Sequence, residues 1–237
     1  MKKSFFKILM LAACCIFSLS ACGGDDNGGS SKGDEPKNDP TDNPTEVTFA
    51  KGADISWVTE MEASGMKFYN ANGKQTDCFA LMKELGMNAI RLRVWGNPSD
   101  GYCNKADVLA KAQRAQALGL ALMIDFHYSD SWADPGKQKI PDAWKNYSLS
   151  QMKTAVTNHT KEVLQALKDK GISVQWVQIG NETTSGMLWP MGKAEGNDFA
   201  NYVSLNNAGY DAAKSIYPNA QCIVHIDRGQ ELSHLTW

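Results

Sequence analysis

Strand-like and helix-like segments alternate without a break over most of the chain, and that rhythm limits the possible folds more than any single motif. Residues 47–54, 88–95, 120–126, 174–179 and 221–226 are short apolar runs rich in β-branched residues. Between them, residues 76–85, 107–118, 149–170 and 198–216 carry apolar side chains at helical spacing, as in Phe79, Leu81, Met82 and Leu85. The first three of these helices stop at Gly86, Gly119 and Gly171. Helix-length crossovers make the strands parallel. Two architectures satisfy that pattern: an open doubly wound sheet and a closed (β/α)8 barrel.

Polar residues inside the strands favour the barrel. Arg91 and Arg93 alternate with Leu92 and Val94; Met123, Asp125 and His127 alternate with Leu122, Ile124 and Phe126; His225 and Asp227 alternate with Val224 and Ile226. One set faces the helices and the other an axis. Inward charge on three strands is costly unless it is paired or serves a site. No Gly-x-Gly-x-x-Gly follows the first strand, which argues against dinucleotide binding. The expected fold is therefore an α/β (β/α)8 TIM barrel, of which this sequence carries about five of the eight strand–helix units. Residues 231–237 read as the start of a further helical region, so an incomplete barrel is expected, occupying residues 47–237.

The residues before the barrel have another character. Lys2 and Lys3 precede an apolar stretch from Phe5 to Phe17, and Leu19-Ser20-Ala21-Cys22 follows. A basic head, a short apolar run and small residues before a cut site describe a secretory signal over residues 1–21. The run is too short for a membrane span. Leu-Ser-Ala-Cys resembles the lipobox of bacterial lipoproteins, making Cys22 the expected lipid anchor. Gly23-Gly24-Asp25-Asp26 is similar to an acidic surface-export tag of Bacteroidetes, so an outer-membrane or cell-surface location is expected. Residues 22–46 hold no large apolar side chain to offset the entropy of ordering and are expected to form a disordered tether.

A formal net charge of −2 leaves no basic field for nucleic acid. Cys78, Cys103 and Cys222 remain after the signal and anchor, an odd number; a Cys78–Cys103 bridge is possible and three free thiols are preferred. His127, His159, His225 and His234 show no metal-ligand spacing, and no Gly-x-Ser-x-Gly elbow is present. No cofactor is expected in the covered region, although a structural calcium in loops beyond Trp237 stays open. A monomer is expected. Asn-x-Ser/Thr sequons at Asn146, Asn158 and Asn181 carry little meaning in a bacterial lipoprotein.

Chemistry gathers where strands end: Asp54, Arg93 with Trp95, His127 with Tyr128, Asn181 with Glu182, and His225 with Asp227. Trp57, Trp132 and Trp189 stand in the loops beyond. Carboxylates among indoles suit carbohydrate cleavage, the acid protonating a glycosidic oxygen and the rings stacking on sugar faces.

Four segments carry a specific likeness: Gly52-Ala53-Asp54-Ile55-Ser56, Arg91-Leu92-Arg93-Val94-Trp95, the run from Asp125-Phe126-His127-Tyr128 to Ala133-Asp134-Pro135, and Gln178-Ile179-Gly180-Asn181-Glu182. Together they resemble glycoside hydrolase family 53, the endo-β-1,4-galactanases of arabinogalactan and pectic galactan, from about Phe49 to Trp237. The resemblance implies a retaining mechanism with two glutamates, in which Glu182 after Asn181 is the acid/base. The nucleophile would stand at the end of a seventh strand, and neither Glu195 nor Glu231 occupies a strand end. Residues 1–237 alone are therefore expected to be inactive.

From their surroundings at the strand ends, Arg93 is expected to point at the nucleophile, with pairing to Asp125 as its alternative, and His127 and Tyr128 are expected to line the cleavage subsite. Asp54 would bond a sugar or Arg93. Trp57, Trp95, Trp132 and Trp189 would be sugar platforms, Asp125 buried structure, and His225 either a support for Glu182 or a filler of the axis. Other expectations compatible with these residues are a β-mannanase or β-glucanase of the same barrel clan, and a non-catalytic glycan-binding lipoprotein.

Overall fold

The computed structural model describes residues 47–231. The signal, Cys22 and the tether lie outside the described residues.

Five strands form one parallel sheet in the order β1 (Gly52–Asp54), β2 (Ala89–Val94), β3 (Ala121–Phe126), β4 (Trp176–Ile179) and β7 (Gln221–Ile223). Each pairs only with its neighbours in sequence order, as barrel winding requires. Two short strands, β5 (Gly186–Met187) and β6 (Gly192–Lys193), make an antiparallel hairpin after β4. The crossovers hold α2 (Cys78–Glu84), α3 (Lys105–Ala117), α4 (Leu149–Asp169) and α5 (Ala200–Ile216); a short α1 (Val58–Ala63) follows β1.

The helices begin where polar side chains accept from otherwise unpaired amides. Asp77 accepts from Ala80 N, Asn104 from Asp107 N, and Ser148 closes a capping box with Gln151. Their inner faces meet the outer face of the sheet. Ile90, Leu92, Val94, Leu122, Ile124, Phe126, Val177 and Ile179 pack there with Val108, Ala112, Met152, Val156, Leu164, Leu167 and Leu205. Each buried Val, Leu, Ile, Met or Phe among them contributes about 1.5–3 kcal/mol by leaving water. Gly209 lets α5 approach closely, since a Cβ there would stand 2.7 Å from both Ile179 Cγ2 and Tyr128 Oη.

The inner face is polar, with a hollow of about 680 Å³ lined at its base by Gly52, Ala89, Arg91, Met123, Trp176 and Gln221. Its lining reaches Asp54 and Arg91 but does not include Glu182.

The expected elements are present with trimmed ends. The segment before β1 is held differently: Val47 N donates to Gln175 Oε1 at 3.2 Å, and Gln175 Nε2 donates to Val47 O at 2.9 Å. β7 ends at Ile223, yet the chain stays aligned beyond it, because Thr183 N donates to His225 O at 2.7 Å. Helix α1 and the β5–β6 hairpin were not expected. Cys78, Cys103 and Cys222 are free thiols.

Candidate active site

The carboxyl ends of the strands bring the polar residues together, and the centre of the cluster is Arg91. Its Nη1 lies 2.6 Å from Asp54 Oδ2. Its Nη2 lies 2.7 Å from Asp125 Oδ2, 2.8 Å from Asn181 Oδ1 and 3.2 Å from Gln178 Oε1. One guanidinium therefore joins four strands or their exits. Burial would raise the Asp54 carboxyl, but hydrogen bonds from Ser56 and the charge of Arg91 outweigh it and hold Asp54 below its usual range.

Asp125 has no solvent exposure and is satisfied on all sides. Besides Arg91, it accepts from Gln178 Nε2 at 2.6 Å and meets His127 Nε2 at 3.0 Å. His127 Nδ1 accepts from Ala133 N at 3.1 Å, so the ring proton sits on Nε2 and goes to Asp125.

These contacts correct several expectations. Arg91, not Arg93, is the partner of Asp125 and Asp54. Arg93 and Asp125 stand opposite in the ladder; strand tilt in a barrel instead brings the diagonal neighbour into the same layer. Arg93 is buried under three indoles, its guanidinium carbon 4.0 Å from the Trp132 centroid, 4.5 Å from Trp95 and 5.4 Å from Trp57. Its Nη2 donates to Cys103 Sγ at 3.4 Å. His127 is 1% exposed and supports the site from beneath instead of lining it.

Tyr128 faces the helices. Its ring stacks on Phe126, and its hydroxyl is 2.8 Å from Thr160 Oγ1 of α4. The period-two alternation that turns His127 inward turns Tyr128 outward. Trp95 is also buried. Trp57 and Trp132 are 47% and 40% exposed with centroids 5.6 Å apart, so they alone of the four expected platforms present broad free faces. Trp189 is half-buried, and its indole N–H donates to Ser185 O.

Glu182 follows β4 across Gly180, whose φ of +83° turns the chain. A Cβ at Gly180 would come 2.5 Å from Thr183 Cγ2. Asn181 is buried; Nδ2 donates to Ala133 O at 2.8 Å, and Oδ1 faces His225 Nδ1 at 2.9 Å as well as Arg91. One amide proton of Asn181 is left for another acceptor. Burial and the charge of Arg91 push His225 down; its Nδ1 lies 2.9 Å from Asn181 Oδ1 and 3.3 Å from Glu182 N, so the ring touches both residues of the pair.

Glu182 itself has φ 50° and ψ 51°, a left-handed conformation that costs a non-glycine residue about 1–2 kcal/mol. Its carboxylate is half-exposed and makes no hydrogen bond or ion pair among the described residues. The loop behind it is tied down: Thr183 Oγ1 donates to His225 O at 3.0 Å and meets Tyr202 Oη at 2.8 Å, while Thr184 Oγ1 pairs with Asp227. An unengaged acid on a braced, strained turn is suited to proton transfer.

The sequence reading missed Arg91 and Gln178 as parts of the site. Both have the inward parity of Arg93 and Asp125, and that signal was available. Among the described residues no group of three or more His, Cys, Asp or Glu is arranged to hold a metal ion.

Residues 50–237 match glycosyl hydrolase family 53. The chain is 40% identical over 186 residues to an endo-β-1,4-galactanase of Bacillus subtilis (strain 168), covering 75% of this chain and 42% of that protein. It is 38% identical over 189 residues to an arabinogalactan endo-β-1,4-galactanase of Humicola insolens, covering 79% and 56%. A solved structure from a study of two fungal β-1,4-galactanases superposes with a TM-score of 0.76 at 37% identity, covering 79% of this chain and 56% of that one. The chain thus spans about half the length of these relatives. The five-stranded parallel sheet is that of the family's TIM-barrel domain, and the chain belongs to glycosyl hydrolase family 53.

Proposed function

We propose that the protein containing this chain is a retaining endo-acting hydrolase of β-1,4-galactosidic bonds in the galactan and arabinogalactan side chains of pectin. The relatives' names supply the substrate class. The observation that carries the chemistry is Glu182: an unengaged, half-exposed acid at the carboxyl end of β4, on a backbone braced by its neighbours.

In this reading Glu182 starts protonated and gives its proton to the leaving glycosidic oxygen as a second carboxylate attacks the anomeric carbon. The resulting glycosyl-enzyme is then hydrolysed by a water that Glu182 deprotonates. The nucleophile comes from beyond the described residues. The remaining Asn181 amide proton is offered to a sugar hydroxyl, and Trp57 with Trp132 supplies the stacking surface. No cofactor takes part.

We further propose that residues 1–237 by themselves do not cleave galactan, since Glu182 supplies only the acid/base of a double displacement and the strand-end carboxylates Asp54 and Asp227 are already engaged by Arg91 and Thr184. The exported protein would be held at the cell surface by lipid on Cys22, and Cys22→Ser would release it from membranes. Cys22→Ser protein that still sediments with membranes would rule out the anchor.

The test of Glu182 uses the barrel completed by its C-terminal strands. Glu182→Gln should lower galactan turnover by roughly 10²–10⁴-fold. An aryl galactoside with a good leaving group should still glycosylate the enzyme, and azide should restore turnover and yield the β-galactosyl azide. Near wild-type galactan cleavage, or an α-azide product, would exclude Glu182 as the retaining acid/base. Preferred cleavage of mannan or glucan by the unaltered enzyme would reassign the substrate.

A further inference from the structure

Gln138 lies in the long connection between β3 and α4, with 43 and 44 residues separating it from Asn181 and Glu182. It is 2% exposed. Its Nε2 lies 2.8 Å from Asn181 O, 3.0 Å from Asp134 O and 3.3 Å from Glu182 O. Three carbonyl oxygens around one atom fix the orientation of this amide, because its oxygen turned that way would face only other acceptors. The main chain adds a parallel tie, Trp189 N donating to Gln138 O at 2.7 Å.

The atoms held are the ones that matter for Glu182. A left-handed residue keeps its conformation only where the surroundings over-determine it. The carbonyl of Asn181 belongs to the peptide plane entering Glu182, and the carbonyl of Glu182 belongs to the plane leaving it. Gln138 touches both. Rotating either plane to relax the strain would break a hydrogen bond inside a buried contact. Burial keeps Gln138 itself away from any sugar.

We propose that Gln138 is a positioning residue: its side-chain amide holds the backbone on both sides of Glu182 in the left-handed turn and so aims the carboxylate. The inference rests on the acid/base reading of Glu182 given above.

Gln138→Met keeps the length and volume of the side chain and removes the amide. In the completed barrel, its kcat on galactan should fall roughly 10–100-fold with KM changed by less than about two-fold, the pattern of a misplaced catalytic group. The first step on a 2,4-dinitrophenyl β-galactobioside, whose leaving group needs no proton, should fall by less than about three-fold. Galactan kcat within about two-fold of wild type would overturn the proposal. Equal losses on both substrates would also overturn it, as the mark of general loosening.

Glu182→Gln measured alongside separates the two readings. If Glu182→Gln loses both substrates equally, the acid/base assignment itself fails. If it shows the leaving-group dependence and Gln138→Met does not, only the positioning role fails. Should Gln138→Met not fold, Gln138→Asn takes its place under the same criteria, carrying the same amide one methylene short.

Discussion

Arg91 Nη2 lies 2.7 Å from the carboxylate of Asp125, a group with no exposure to solvent. The same guanidinium holds Asp54 from β1 and Asn181 from the exit of β4, so one cation ties the inner face of the sheet from β1 to β4. Arg91→Met should cost about 3–5 kcal/mol, the usual penalty for stranding a buried partner charge. Urea denaturation of Arg91→Met and of Arg91→Met/Asp125→Asn checks this. The double variant should recover part of the loss, because its neutral amide needs no cation.

His159 sets a pH window. Packed among Phe126, Tyr128 and Trp144, its ring is pushed down by burial from 6.5 to about 4. The folded state therefore resists a proton that the unfolded chain accepts. Stability from this group is fully present above about pH 6.5 and is lost as pH falls toward 4, by up to about 1.4 kcal/mol per pH unit. A His159→Phe variant should show a shallower fall over that range. Asp54, held below its usual value, acts only at lower pH: its contribution is present above the ordinary carboxylate range and disappears as pH drops through its depressed value.

Gly180→Ala should damage the site from one step upstream. The added Cβ meets Thr183 Cγ2 at 2.5 Å on a backbone with φ +83°. Overpacking of this kind costs about 1–3 kcal/mol. Melting should fall by several degrees, and activity of the completed barrel should fall further, because the displaced turn carries Glu182. Unchanged melting would mean that the loop yields freely.

Trp57 and Trp95 should separate binding from folding. Trp57→Ala removes an exposed ring and should raise KM for galactan several-fold with little change in melting. Trp95→Ala empties a buried position and should cost about 3–5 kcal/mol. Paired kinetics and denaturation on the two variants distinguish the roles.

Much of this site was legible because alternation along a strand is a rigid rule. It puts Arg91, Arg93, Asp125, His127 and Gln178 on the inside without any structure. It does not give height along the axis, and height decides which arginine meets which carboxylate. Arg93 faces Asp125 in the ladder, but the ion pair is diagonal, a consequence of strand tilt that no single strand encodes. The same rule, applied to Tyr128, predicts the outward position it takes; the expectation that it lined the cleft came from its place beside His127 at a strand end. The hairpin escaped notice because its strands are two residues long and rest on glycines: a Cβ at Gly186 would come 2.0 Å from Gly192 O. Gln138 was invisible because its meaning lies in two carbonyls more than forty residues away.

The three indoles around Arg93 have an optical consequence. Trp57 and Trp132 are 5.6 Å apart and Trp95 and Trp132 6.0 Å, distances at which excitation migrates freely among rings before emission. Light absorbed by any of them is therefore shared by the two that face outward, and a charge fixed beneath them shifts the emission colour of the group as a whole. A sugar settling on Trp57 or Trp132 is therefore expected to change the emission of the cluster, and a fluorescence titration with galactan oligosaccharides checks this without a label.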